Sequence, residues 1–129
     1  MGYRSEVCLV LTAEGEQQLR DRIAALPDSD ETAIKMRELL DNYPDTSWRD
    51  QETGATIYHW ESLKWYNTYM EVIFLDKFFA DADSNDYLFF RIGEDDTDIS
   101  VRGNYWDNPY AANIYRCIDY QLPMPKTDE

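Results

Sequence analysis

The stretch NTYMEVIFLDKFFADA, residues 67–82, constrains the fold more than any other. Met70, Val72, Ile73, Phe74, Leu75, Phe78 and Phe79 occupy nearly every helical phase, so apolar side chains surround most of the cylinder. Such a helix is expected to be the central one of its domain, or to bury a second face against a partner. Thr68 and Glu71 have the spacing of a capping box at its start.

The other elements follow from periodicity. In YRSEVCLVLT, residues 3–12, Val7, Leu9 and Leu11 alternate with Glu6, Cys8 and Val10, which reads as a strand buried at its far end. AEGEQQLRDRIAAL reads as a helix with Leu19, Ile23 and Leu26 on one stripe and a supporting Glu16–Arg20 pair, ended by Pro27. Asp28, three residues before Glu31, predicts a capped helix over about 29–42 that buries Ala33, Met36, Leu39 and Leu40. DTSWRDQETG reads as a polar loop and ATIYHWESLKW as a strand. DYLFFRI and DISVRG read as a hairpin with GEDDT at its turn, and NIYRCIDYQL as a last strand. The order is strand, helix, helix, strand, helix, strand, strand, strand. That predicts an α+β fold: a mostly antiparallel sheet of about five strands with helices on one face. Residues 1–122 are expected to form a single domain and 123–129 a flexible tail.

Charge narrows the function classes. The 129 residues carry 26 acidic and 12 basic side chains, a net charge of −14. The excess is not a tail, because residues 1–52 are net −6 and residues 53–129 net −8. This field repels nucleic-acid phosphate and anionic lipid and attracts basic surfaces, so direct nucleic-acid or membrane binding is disfavoured. Solubility, or a halophilic source given only four lysines, is the plain alternative. The N-terminus lacks the apolar run of a signal peptide, and no segment reaches 18 apolar residues. A cytoplasmic protein is expected. Cys8 and Cys117 lie in apolar, strand-like contexts with no CxxC, which reads as two buried free thiols, not as zinc ligands.

DADSNDYLFFRIGEDDTDIS, residues 81–100, gathers seven carboxylates around one arginine: Asp81, Asp83, Asp86, Glu94, Asp95, Asp96 and Asp98 with Arg91. Asp81, Asp83 and Asn85 match the opening of an EF-hand loop. The match then fails, with Asp86 where glycine is required and Ile92 where the bidentate carboxylate belongs. Carboxylate acid–base chemistry needs an environment that splits the pKa values, and a solvated hairpin turn does not supply one. Adding Asp107 gives no ordered metal spacing. His59 is the only histidine, and neither Ser62, Cys8 nor Cys117 has the flanks of a nucleophile elbow, so His59 reads as a packed or half-exposed strand histidine between aromatics. No glycine-rich phosphate loop is present. No catalytic residue, metal or cofactor is expected. The aromatics Tyr58, Trp60, Trp65, Tyr66 and Tyr69 beside Lys64 suit core packing. Tyr105, Trp106 and Tyr110, in a turn-rich loop, suit partner recognition.

The start MGYRSEV, the element YHWESLKWY and the block DYLFFRIGEDDTDISVRG resemble a group of small proteins encoded by bacteriophages and prophages. Members share the MGYRS start, a KWY element before a helix and an F-x-R-x-GED strand-turn. The resemblance implies an accessory protein of the infected bacterial cytoplasm and names no activity or site residue. Small acidic phage proteins are often inhibitors of host machinery, some presenting carboxylates in place of DNA phosphates. The expectation is a non-enzymatic inhibitor, DNA-mimic-like in its acidity, that engages a basic host or defence protein through the seven carboxylates and the three loop aromatics. A small-molecule or divalent-metal-binding domain and a homo-oligomeric structural or accessory protein, such as a homodimer, are the alternatives.

Overall fold

The computed structural model describes residues 2–95, 97–114 and 117–123. The fold is α+β. Five strands form one antiparallel sheet in the order β2-β3-β1-β4-β5: β1 (Ser5–Leu11), β2 (Thr46–Arg49), β3 (Thr56–Leu63), β4 (Tyr87–Ile92) and β5 (Ile99–Gly103). Central β1 is buried from Val7 to Leu11, which is why its sequence is apolar on both phases.

Three helices cover one face: α1 (Ala13–Ala24), α2 (Glu31–Asp41) and α3 (Met70–Asp81). Their stripes Leu19/Ile23, Ala33/Met36/Leu39/Leu40 and Leu75/Phe78/Phe79 meet Val7, Leu9, Leu11, Tyr58, Trp60, Tyr87 and Phe89 in one core. Two buried polar groups fix the docking. The Trp60 indole donates to the Leu39 carbonyl at 3.0 Å, and the Tyr87 hydroxyl to the Phe79 carbonyl at 3.0 Å.

The second face is covered as well. The segment after β5 folds back over it, and Tyr110, Ala112 and Ile118 pack on Cys8, Val10, Ile57, Leu88 and Phe90. Within this segment β6 (Asn113–Ile114) and β7 (Ile118–Asp119) form their own small ladder. The expected last strand, 113–122, is therefore not a sixth strand of the main sheet; its alternating apolar residues serve a separate layer.

Other local readings are corrected too. The polar loop contains β2, a four-residue edge strand with alternating exposure. Asp30, not Asp28, caps α2, accepting from the Thr32 amide at 2.7 Å. Tyr69, not Thr68, is the residue before α3, and no side chain caps it. Helix α3 buries Val72, Leu75, Phe78 and Phe79 but leaves Met70 and Ile73 exposed, so it flanks the sheet and is not enclosed. Cys117 is exposed, against the expectation of two buried thiols. The expected tail lies outside the described residues from 124 onward.

Candidate functional site

The carboxylates ahead of β4 are absorbed by the fold. Asp81 pairs with Arg22 on α1 at 2.8 Å. Asp83 caps the 3-10 turn Ser84–Asp86 by accepting from the Asn85 amide at 2.9 Å. Asp86 accepts from the Thr12 hydroxyl at 2.9 Å, while its carbonyl accepts from the Thr12 amide. Each carboxylate answers a different neighbour, so the EF-hand-like opening does not converge on a point. Among the described residues no group of three or more His, Cys, Asp or Glu side chains is arranged to hold a metal ion.

The second cluster, at the β4–β5 turn, is tied to the chain start. Arg91 grips Asp98 with both terminal nitrogens and also donates to Ser5 Oγ at 3.0 Å. The Tyr3 hydroxyl donates to Asp98 at 2.8 Å and accepts from the Asp95 amide at 2.9 Å. Glu94 accepts from the Arg4 amide, and Asp95 takes the amide and hydroxyl of Thr97, each at 3.0 Å. Bonding from Arg91 and then Tyr3 holds the Asp98 carboxyl below its usual range, and the Thr97 donors do the same for Asp95. A side chain at Gly93 would collide with the Asp98 carboxylate and the Tyr3 hydroxyl, so this knot requires glycine. Asp96 lies outside the described residues.

Gly2 is packed equally tightly against Tyr66 and Lys64. The MGYRS, KWY and R-x-GED blocks thus meet at one end of the sheet. The first and last of these blocks, with Glu61 and Ser62 from just before KWY, line an open cleft of about 580 Å³ that has Arg4, Glu6 and Glu94 on its walls. The two carboxylate clusters stand at opposite ends of β4, about 20 Å apart along a six-residue strand.

The three loop aromatics separate. Tyr105 is half-buried against the second core. Trp106 is 48% exposed, and its ring lies 5.6 Å from that of Phe90. Tyr110 is fully buried, its hydroxyl donating to the Ala55 carbonyl at 2.5 Å and reaching the Trp48 carbonyl at 3.2 Å. It is a core residue and cannot serve as a partner anchor.

Beside Trp106 lies a surface that sequence reasoning missed. The β4–β5 register pairs Ile92 with Ile99 and Phe90 with Val101. Ile99 and Val101 therefore continue the apolar face out to the sheet edge, where they are 42% and 43% exposed. The signal was available in DISVRG, since Ile99 and Val101 alternate with Ser100 and Arg102. Ile99, Val101 and Trp106 form a strip along β5, which pairs with no strand but β4 among the described residues, with Glu94, Asp95 and Asp98 at one end and Asp107 beside the tryptophan.

His59 is buried, within 2.7 Å of Glu6 through Nε2 and 3.0 Å of the Tyr120 hydroxyl through Nδ1. It pins the covering segment to the sheet. Cys8 lies opposite it in the β1–β3 ladder, fully enclosed, and burial pushes its thiol far above the usual range. That excludes a Cys8–His59 nucleophile pair. No helix among the described residues is long and apolar enough to cross a membrane. No family model, curated protein or solved structure matches this chain.

Proposed function

We propose that this chain is a non-enzymatic binding protein that docks a basic partner along the β5 edge. In keeping with the resemblance of its sequence blocks, it would act as a phage accessory protein in the cytoplasm of an infected bacterium, on a host or defence protein. The observation that carries this reading is the continuity of the Ile99–Val101–Trp106 strip with the acidic β4–β5 turn. An apolar centre with a charged rim is how specific interfaces are built: the centre supplies affinity and the rim steers encounter. Tryptophan is among the residues most often carrying binding energy, and an unpaired strand edge offers main-chain hydrogen bonds to an added strand. The partner this surface suits is cationic with an apolar insertion, as nucleic-acid-binding proteins often are. The Asp81–Asp86 cluster has less part in it, because it stands at the other end of β4 from the acidic turn that continues the strip.

The test uses three immobilised baits: the wild-type chain, Trp106→Ala with Val101→Ser, and Glu94→Gln with Asp95→Asn and Asp98→Asn. A basic protein retained from host lysate by the wild type, lost by both variants and released as salt rises supports the reading. A captured set that is the same for all three baits overturns it.

A further inference from the structure

The outer edge of β5 carries main-chain groups that the fold leaves unused. Two hydrogen bonds set the phase of the ladder. The Thr12 amide donates to the Asp86 carbonyl, so the backbone groups of Leu88, Phe90 and Ile92 turn to β1 and those of Phe89 and Arg91 turn to β5. The Gly93 amide donates to the Asp98 carbonyl, which agrees: Arg91 exchanges bonds with Ser100, and Phe89 with Arg102. The alternation points the backbone groups of Ile99 and Val101 away from β4. The Ile99 amide turns back to the Thr97 carbonyl at 3.1 Å. The Ile99 carbonyl and both groups of Val101 have no hydrogen-bond partner among the described residues.

Sheet edges are usually blunted by proline, by lysine, by charges turned toward the sheet or by brevity. The other edge, β2, is only four residues long. β5 has neither proline nor lysine, and its most exposed side chains are Ile99 and Val101. Its one cation is folded away: Arg102 lies 5.0 Å from the centre of the Phe79 ring and donates to Asp76 at 2.9 Å. What guards this edge is the acidic field, with Glu94, Asp95 and Asp98 at its start and Asp107 past its end. Such a field resists a second copy of this chain and admits a cationic strand.

Side chains opposite one another on antiparallel strands share a face. Positions opposite Val101 and Ile99 fall beside the apolar strip that runs to Trp106. Positions opposite Ser100 and Asp98 fall on the other face, toward the Asp98 carboxylate, and the position opposite Arg102 meets a guanidinium. An antiparallel approach continues the pattern of this sheet and is the stronger pairing. We infer that β5 is extended by an antiparallel strand of the partner that reads neutral, apolar, basic, apolar, basic from its N-terminal end. These positions lie opposite Arg102, Val101, Ser100, Ile99 and Asp98 in turn. The inference rests on the reading of this edge as the docking surface, and it names what the edge takes up.

The experiment titrates the full chain at low salt with a blocked peptide, Thr-Val-Lys-Val-Lys-Val-Lys, up to 5 mM. Binding is read by backbone amide chemical shifts and by hydrogen exchange. The proposal expects shifts along 98–103 and at 106, with exchange of the Val101 amide slowed at least about tenfold. A nitroxide at the C-terminal end of the peptide should broaden amides in 94–98 and spare 103–105. Glutamate in place of every lysine, or the same residues reordered as Thr-Lys-Lys-Lys-Val-Val-Val, is expected to abolish binding. Methylation of the peptide's own nitrogens separates main-chain from side-chain recognition without touching the protein. Methyls on the valine nitrogens, which face β5, should abolish binding. Methyls on the lysine nitrogens, which face solvent, should leave it within about threefold. Val101→Pro removes the outward amide and spares the β4 ladder, so it should abolish binding, while Val101→Thr keeps it. Melting curves of both variants confirm that they are folded. The proposal is overturned if the peptide shifts none of these amides at 5 mM, if the two methylations act alike, or if broadening falls on 103–105. It is equally overturned if light scattering finds a dimer that Val101→Pro dissolves, because a second copy is then the occupant. A Val101→Pro bait that still holds the basic partner lost by the Trp106 and acidic-turn variants would remove strand addition and leave the docking surface standing.

Discussion

Trp106 and Tyr110 stand four positions apart, and the two respond to opposite tests. Tyr110 lies wholly inside the second core, so Tyr110→Ala is expected to cost about 3–5 kcal/mol by urea denaturation. Tyr110→Phe, which removes only the bonds to the Ala55 and Trp48 carbonyls, should cost about 1 kcal/mol. Trp106→Ala removes a half-exposed ring and should cost less than Tyr110→Ala while abolishing partner capture. A Trp106→Ala protein that captures the partner as well as wild type would refute the role of this ring. Asp98 gives a second test. Its folded-state pKa is depressed by Arg91 and Tyr3, so its stabilisation is fully present above the unfolded carboxylate value of about 3.9. That stabilisation is lost as pH falls through the folded value. Denaturation midpoints should be flat above about pH 5 and fall below about pH 4, and Asp98→Asn should flatten that fall. An equal decline in the variant would place the acid sensitivity elsewhere, for example at Asp50, whose pKa is lowered by bonding from Thr53.

The C-terminal covering segment is the element on which the second core depends, and the two cysteines report on it. Cys8 is enclosed beneath that layer whereas Cys117, within it, is exposed. A thiol reagent should modify Cys117 at once in the native protein and Cys8 only after opening. Ile118→Ala should speed the slow phase by thinning the cover. Two fast thiols in the wild type would mean the segment does not stay down. This layer also marks the limit of what the sequence made legible. The helices and β1, β3, β4 and β5 could be read because their periodicity is local: one stripe, one face. NIYRCIDYQL has a strand's alternation too, but alternation does not say which sheet is joined, and that choice rests on Tyr110 and Ile118 meeting Cys8 and Leu88 from far away in the chain. β2 escaped notice because a short edge strand buries only alternate residues and can be as polar as Thr46–Arg49. At the site, the acidic turn and Trp106 were legible as residue types. The burial of Tyr110, the anchoring of Glu94 and Asp98 by Arg4 and Tyr3, and the pairing of Val101 with Phe90 depend on register and tertiary contact.

For the molecule as a whole, the balance of charge sets the last expectation. Arg20, Arg22, Arg37, Arg91 and Arg102 are all engaged with carboxylates of the same chain, so the fold consumes much of its positive charge internally. The surface left over is strongly acidic at a net charge of −14, and that field acts against the compact state and against a second copy. Two such bodies would have to approach edge to edge, against this repulsion, to pair their β5 strands. Light scattering should therefore find a monomer at 10 mM salt, where the screening length is about 30 Å. Screening to about 3 Å at 1 M relieves the self-repulsion, while exposed ion pairs have little to lose because each contributes about 0–1 kcal/mol. The melting midpoint should accordingly rise by a few degrees between those salts, as about 1 kcal/mol of relief would give in a domain of this size. A dimer at low salt would remove charge as the barrier to self-pairing and make the β5 strip a self-interface. A midpoint that falls with salt would mean that the arginine–carboxylate pairs outweigh the repulsion. Capture of a cationic partner would then have to be driven by the apolar strip alone.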